Sequence, residues 1–90
     1  MVSENQLFEW ARTGDPQLSR SLPANARHLR DEDGWTLLMV ASAFGHAPLV
    51  DTLLASGADP NATERDFGRT ALMEAAHKGH TRVAQALLSE

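Results

Sequence analysis

The stretch that decides the fold is Asp33-Gly34-Trp35-Thr36-Leu37-Leu38-Met39, followed by the pair Gly45-His46. Within it, Thr36 is placed to cap a short helix, and Gly45 can supply the left-handed residue that ends a helix. After a tight turn at His46, Pro48 suits the first turn of a second helix, which stops before Gly57. The stretch therefore predicts one helix-turn-helix unit.

The same unit recurs 34 residues further along the chain. When residues 31–56 are laid on residues 65–90, nine of the 26 pairs are identical, whereas background frequencies would give about two. The identical pairs are Gly34/Gly68, Thr36/Thr70, Leu38/Leu72, Met39/Met73, Ala41/Ala75, Gly45/Gly79, His46/His80, Leu53/Leu87 and Leu54/Leu88. These are the residue types of turns, caps and cores, so the repetition indicates a repeated fold.

A weaker version of the unit precedes these two. Ser3 and Gln6 form a predicted capping box at the start of a first helix, and Gly14 would end that helix. Asp15 would cap a second helix with Pro16 at its first position, and the apolar face of this helix continues to Pro23. The N-terminal part of the chain thus predicts a third helix pair.

In order and spacing, these residues resemble the signature of the ankyrin repeat family. The resemblance is carried by residues 33–39, Ala41, Gly45-His46, Leu53-Leu54 and Gly57-Ala58-Asp59-Pro60-Asn61-Ala62. It implies an all-α solenoid of stacked helix-turn-helix repeats joined by short β-hairpin-like loops. We expect a single domain over residues 1–90, with an N-terminal capping repeat at 3–30, a repeat at 31–63, and a repeat at 64–90 that is incomplete at its C-terminal end.

Two features depart from the family pattern. Met39 and Met73 stand where the family has a histidine, which predicts an apolar helix start in place of a hydrogen-bonded one. The link after Asn61 is one residue longer than usual, which predicts a local bulge at a loop tip. The histidines His46 and His80 match the family position that holds the turn between the two helices by hydrogen bonds.

Composition excludes several classes of function. The net charge of −4 offers no broad cationic surface for nucleic acid. No cysteine is present, which removes disulfides and thiolate chemistry. No segment approaches the roughly 18 apolar residues of a membrane span, so we expect no membrane association and a cytoplasmic location.

Enzymatic candidates are weak. His77 and His80 lie three residues apart, but Gly79 separates them, and a zinc site needs three or four convergent ligands. Ser42, Asp51 and a histidine are the residue types of a nucleophilic triad, but no strained elbow or oxyanion loop accompanies them. We expect no catalytic residue, no metal site and no cofactor.

The aromatic residues outside the repeat core point to a binding surface. Trp35, Phe44 and Phe67 occupy positions that, by the resemblance, vary and line the concave face of the family. Large aromatic anchors are typical hot spots, each worth about 2 kcal/mol or more of binding. The predicted partner-binding residues are Glu32, Asp33, Trp35, Phe44, Asp66, Phe67, Arg69, His77 and Lys78. The alternatives are that Trp35 packs across the neighbouring turn and that Phe44 covers the N-terminal unit.

The last repeat is expected to leave one side uncovered. Val83, Leu87 and Leu88 belong to a layer with no polar capping helix after it. The sequence therefore predicts a non-catalytic scaffold that binds a protein or peptide, and the alternative is a structural spacer, or a segment that self-associates through its C-terminal repeat.

Overall fold

Six α-helices make up the computed structural model, which describes residues 2–89. The helices are α1 (Glu4–Thr13), α2 (Gln17–Arg20), α3 (Leu37–Ala43), α4 (Ala47–Ala55), α5 (Ala71–Lys78) and α6 (Thr81–Leu88), and a short 3-10 helix spans Ala26–His28. Helix α3 packs between α1 and α5, and α4 packs between α2 and α6. The helices thus form an inner row (α1, α3, α5) and an outer row (α2, α4, α6). The predicted all-α solenoid of stacked helix-turn-helix units is confirmed.

Each inner helix begins at a side-chain cap. The Thr36 hydroxyl accepts the Met39 amide at 3.2 Å, and the Thr70 hydroxyl accepts the Met73 amide at 3.3 Å. At the first of these starts, the Thr36 amide also donates to the Met39 sulfur at 3.4 Å. The prediction of an apolar helix start is therefore wrong at Met39, because its thioether sulfur acts as a hydrogen-bond acceptor.

The two turn histidines join successive layers. The Nε2 of His46 lies 2.7 Å from the carbonyl oxygen of Arg12. The Nε2 of His80 lies 3.0 Å from the carbonyl oxygen of Ala43. Because a carbonyl only accepts, each Nε2 carries a proton and donates. The expectation that they close their own turns is corrected, since each reaches back to the preceding layer.

The N-terminal helix pair is the least regular. Helix α2 is four residues long and begins at Gln17, with Pro16 at the cap position. The Asp15 carboxylate accepts a hydrogen bond from the Gln17 amide at 2.9 Å, which is the pattern of an Asx turn. The predicted continuation of this helix to Pro23 is wrong, and the chain instead makes the 3-10 helix before joining α3.

The core runs along the stack between the two rows. Its largest fully buried apolar side chains are Leu18, Leu37, Leu38, Met39, Val50 and Val83. Trp10 is partly buried and packs against this cluster. One continuous cluster therefore includes side chains from all three helix pairs.

Candidate partner-binding surface

The loop before α3 forms a fixed tip, which we call tip 1 (residues 31–35). One oxygen of the Asp31 carboxylate accepts the amides of Asp33 at 3.0 Å and Trp35 at 2.9 Å. The Asp31 amide donates to the Trp35 carbonyl at 2.9 Å, so both ends of the tip are tied together. Glu32 and Asp33 are exposed at its end.

The loop before α5 forms a second tip, tip 2 (residues 64–69), around a buried carboxylate. Glu64 is only 4% exposed. One of its oxygens accepts the amide of Asp66 at 2.8 Å, and the other accepts those of Phe67 at 2.8 Å and Arg69 at 3.0 Å. These bonds favour the charged form and lower the pKa of Glu64, the bond from Arg69 most, against the opposing effect of burial.

Tip 2 uses the same plan as tip 1 with one more residue. The Glu64 amide donates to the Arg69 carbonyl at 2.9 Å, as that of Asp31 does to Trp35. The extra residue therefore lies between Glu64 and Arg69. Because glutamate is one methylene longer than aspartate, its carboxylate reaches the amides of the wider turn.

Two arginines connect the tips. The Arg30 guanidinium donates to the carbonyl of Gly34 in tip 1 at 2.7 Å and to that of Thr63, directly before tip 2, at 2.8 Å. The Arg65 guanidinium donates to the Glu32 carbonyl at 3.2 Å. The two tips are consequently held side by side by donors that sequence reasoning did not assign.

The aromatic side chains at the tips differ in exposure. Trp35 is partly buried and packs against the core cluster. Phe67 is 78% exposed. The Arg69 guanidinium carbon lies 5.2 Å from the centroid of the Phe67 ring, and one Arg69 nitrogen lies 3.5 Å from a carboxylate oxygen of the buried Glu74. Arg69 thus links an exposed ring to an internal charge.

The remaining predicted residues lie at the far ends of the inner helices. Phe44, at the C-terminal cap of α3, is 51% exposed. His77 and Lys78 are exposed in the last turn of α5. A helix of this length separates its two ends by about 10 Å. Over residues 2–89, no hydrogen bond or ion pair joins these three side chains to the tips, so the predicted set divides into a tip group and a helix-end group.

Sequence reasoning missed a cleft between α1 and tip 1. It has a volume of about 270 Å³ and is lined by Asn5, Phe8, Glu9, Arg12, Asp31, Glu32 and Asp33. Arg12 and Glu9 form an ion pair at 2.6 Å within it. Only the acidic run of tip 1 was visible in the sequence, because the contribution of α1 depends on how the first helix pair stacks.

Comparison with known proteins decides the family. The profile described as ankyrin repeats (3 copies) matches residues 7–90. The chain belongs to the ankyrin repeat family. Among its relatives, the mouse ankyrin repeat and SAM domain-containing protein 6 is 41% identical over 87 residues, which are 93% of this chain and 10% of that protein. A probable E3 ubiquitin-protein ligase from Oryza sativa subsp. japonica is 41% identical over 92 residues, which are 97% of this chain and 17% of that protein. The bovine mitochondrial disaggregase is 45% identical over 60 residues, 61% of this chain and 8% of that protein.

These matches are to the repeats alone. This ankyrin repeat chain spans less than a fifth of each of these relatives. The ligase and disaggregase activities in two of their names therefore belong to those whole proteins and not to the matched repeats. Ankyrin repeats are a non-catalytic fold that generally mediates contacts between proteins. None of the helices within residues 2–89 has the length and apolar character to cross a membrane.

Proposed function

We propose that this ankyrin repeat chain is a non-catalytic adaptor that binds a protein or peptide partner through its concave face. The proposed binding surface comprises tips 1 and 2 together with the helix-end group Phe44, His77 and Lys78. The observation that carries the proposal is Phe67, a large aromatic side chain that is 78% exposed. The proposal includes the cytoplasmic location expected from the sequence.

The backbone beneath Phe67 supports this role. The Glu64 carboxylate binds three amides of tip 2, and Arg69 stacks on the ring. A partner would therefore meet an apolar surface whose loop is already ordered, and this reduces the entropy lost on binding. The mixed charges of Glu32, Asp66 and Lys78 around the aromatic residues suit a polar rim.

The experiment is affinity capture from a native cell extract, read by mass spectrometry. The bait is compared with Phe67→Ser and Phe44→Ser variants, and Asp51→Ser serves as the control because Asp51 is exposed on the outer-row helix α4 and belongs to neither tip. We expect partners retained by the wild type and by Asp51→Ser to be lost with Phe67→Ser. Identical partner sets for wild type and both phenylalanine variants would refute the adaptor role of this face.

A second candidate is a structural spacer or self-associating segment without a dedicated partner groove. It is favoured by the exposure of apolar residues in the last described layer, with Met73 at 53% and Leu88 at 70%. Self-association would make the melting temperature depend on protein concentration. A concentration-independent melting temperature together with a monomeric mass would exclude self-association.

A further inference from the structure

Glu74 is a carboxylate at a position where the preceding repeat has an apolar side chain. Its counterpart 34 residues earlier is Val40, and the two are similarly buried, at 2% and 6% exposure. One oxygen of the Glu74 carboxylate, Oε2, is buried and accepts no hydrogen bond within residues 2–89. A buried charge without hydrogen bonds is costly. The Oε2 of Glu74 therefore lacks a donor that its burial requires.

The cation beside this oxygen does not supply the missing hydrogen bond. Nη1 of Arg69 lies 3.5 Å from Oε2 of Glu74, but the two atoms do not have the geometry of a hydrogen bond. The guanidinium carbon of Arg69 instead lies 5.2 Å from the centroid of the Phe67 ring, within the range of a cation–π contact. The Arg69 side chain is 45% exposed, so it has room to move. Arg69 is thus shared between an exposed ring and an internal carboxylate that it satisfies incompletely.

The other two arginines of the tips are engaged by acceptors. Arg30 donates to two backbone carbonyls and Arg65 donates to one. In the part of the chain that the structure describes, the Arg69 guanidinium donates no hydrogen bond, and its charge is offset by that of Glu74. Arg69 is therefore the cation of the tips that can change its position without breaking a hydrogen bond.

The charges around Phe67 favour a cation over an anion. Glu32, Asp33 and Asp66 are exposed, and none of them forms an ion pair among residues 2–89. A cationic side chain against the exposed ring would meet the negative π face and this uncompensated charge together. An acidic group at the same place would be repelled by both. The partner chemistry that fits Phe67 is consequently cationic.

We propose that the partner of this surface contributes a cationic side chain that stacks on Phe67 and displaces Arg69, which then closes on Glu74. In the free chain, Arg69 occupies the ring in place of that cation. Its displacement gives the buried Oε2 of Glu74 a charge-assisted hydrogen bond, which is stronger than a neutral one. Recognition of the cation and completion of the internal ion pair are therefore coupled. This inference rests on the proposed adaptor function and names the chemistry of its partner.

The probe for the cation is a short peptide, acetyl-glycyl-arginyl-glycine amide. Its control carries citrulline, which keeps nearly the shape of arginine and has no charge. All three phenylalanines of the chain are replaced by para-fluorophenylalanine, so that fluorine NMR observes Phe67 beside the exposed Phe44 and the buried Phe8. We expect the Phe67 resonance alone to shift, saturably, with the arginine peptide and to stay in place with the citrulline peptide. A Phe67 resonance that responds equally to both peptides, or to neither, would overturn the cationic partner.

The displacement is read at Arg69 itself. In isotopically labelled chain, the guanidinium protons of Arg69 should exchange with water more slowly when the arginine peptide is bound, because they gain the hydrogen bond to Glu74. Unchanged exchange at saturation would show that Arg69 stays on the ring, and the coupling would be wrong.

Two variants separate this coupling from simple charge attraction. Glu74→Val restores the residue type of Val40, so it should fold and should raise the urea midpoint, since an apolar side chain replaces an incompletely paired buried charge. It should also raise the Kd of the arginine peptide about tenfold, the equivalent of one charged hydrogen bond. Glu32→Gln removes an exposed negative charge of tip 1 and keeps Glu74, so it should raise the Kd less. An equal rise in the two variants, or a lower urea midpoint for Glu74→Val, would contradict the proposal.

These outcomes are distinct from those of the capture experiment. Partners that are lost with Phe67→Ser, in a chain whose Phe67 ring ignores the arginine peptide, would leave the adaptor role standing and overturn the cationic partner. A ring that binds the arginine peptide, in a chain whose captured partners do not depend on Phe67, would refute the adaptor role of this face and support the cation-binding ring.

Discussion

At the scale of single residues, the loops of this chain are organised by carboxylates. Asp31 and Glu64 each accept several backbone amides of their own loop. Without these carboxylates the loop amides would have no acceptor within the protein, and a backbone amide that is left without a hydrogen bond is costly. The exposed residues that the sequence assigns to partner binding thus lie on loops whose shape is set by a neighbouring side chain.

Neutralising Glu64 should reduce stability in a pH-dependent way. Its folded pKa lies below the ordinary value of 4.5, so the folded state binds the proton less well than the unfolded state. The stabilisation is therefore present above pH 4.5 and is lost as the pH falls through the folded pKa. Glu64→Gln should lower the urea midpoint at pH 7 and flatten its dependence on pH below 5.

The control for this prediction is Glu32→Gln, which removes a carboxylate that is exposed in tip 1. Its urea midpoint at pH 7 should stay close to that of the wild type. If Glu64→Gln behaved like this control across the pH range, the carboxylate of Glu64 would not hold tip 2.

Alanine at two equivalent glycines should have unequal effects. Gly45 and Gly79 share a left-handed backbone, and alanine there costs about 1 kcal/mol at each position. At Gly45 the new Cβ would also lie 2.7 Å from the His80 ring, whereas at Gly79 it meets nothing. Gly45→Ala should therefore lower the free energy of unfolding more than Gly79→Ala, as measured by urea denaturation. Equal losses would show that the His80 ring moves aside without cost.

At the scale of elements, local signals predicted most helices and failed where contacts are not local. Helices α3 and α5 begin after Thr36 and Thr70 as expected, because a cap and its helix are neighbours in sequence. The early end of α2 was not predicted, because the apolar pattern continues through Leu22 while the helix itself ends at Arg20. The cross-layer histidine bonds were missed because they join residues 34 and 37 positions apart. Glu64 was missed although its bonds are local, because the 34-residue period pairs it with Arg30 and not with Asp31. The repeat pattern indicated where the tips lie. It did not show that Trp35 packs against the core cluster, because that packing depends on the fold of the whole chain.

Hydrogen exchange should rank the helices by the layers that cover them. Helix α4 packs against both α2 and α6, whereas among the described residues α6 has an outer-row neighbour on one side only. The free energy of local opening falls with the number of packed neighbours. Amides of α6 should therefore exchange faster than those of α4 by NMR, although the two helices are of similar length. Equal protection would indicate that the stack opens only as a whole.

At the scale of the whole molecule, stability should follow from interfaces between adjacent layers. Leu53 and Leu87 are equivalent and similarly buried, at 3% and 6% exposure. Truncating such a leucine to alanine costs about 2–5 kcal/mol. Leu53 lies in the middle layer, so its loss weakens two interfaces, while Leu87 lies in the last described layer and its loss weakens one.

This difference can be read with the two tryptophans of the chain, because Trp10 and Trp35 both precede the last layer. Fluorescence therefore reports the first two layers, whereas far-ultraviolet circular dichroism reports helices of all three. Leu53→Ala should move both urea transitions together to lower concentrations. Leu87→Ala should move the circular dichroism transition further than the fluorescence transition, because α5 and α6 unfold before the remainder. Coincident transitions in both variants would mean that the three layers form one indivisible cooperative unit, and a nearest-neighbour description of this chain would then fail.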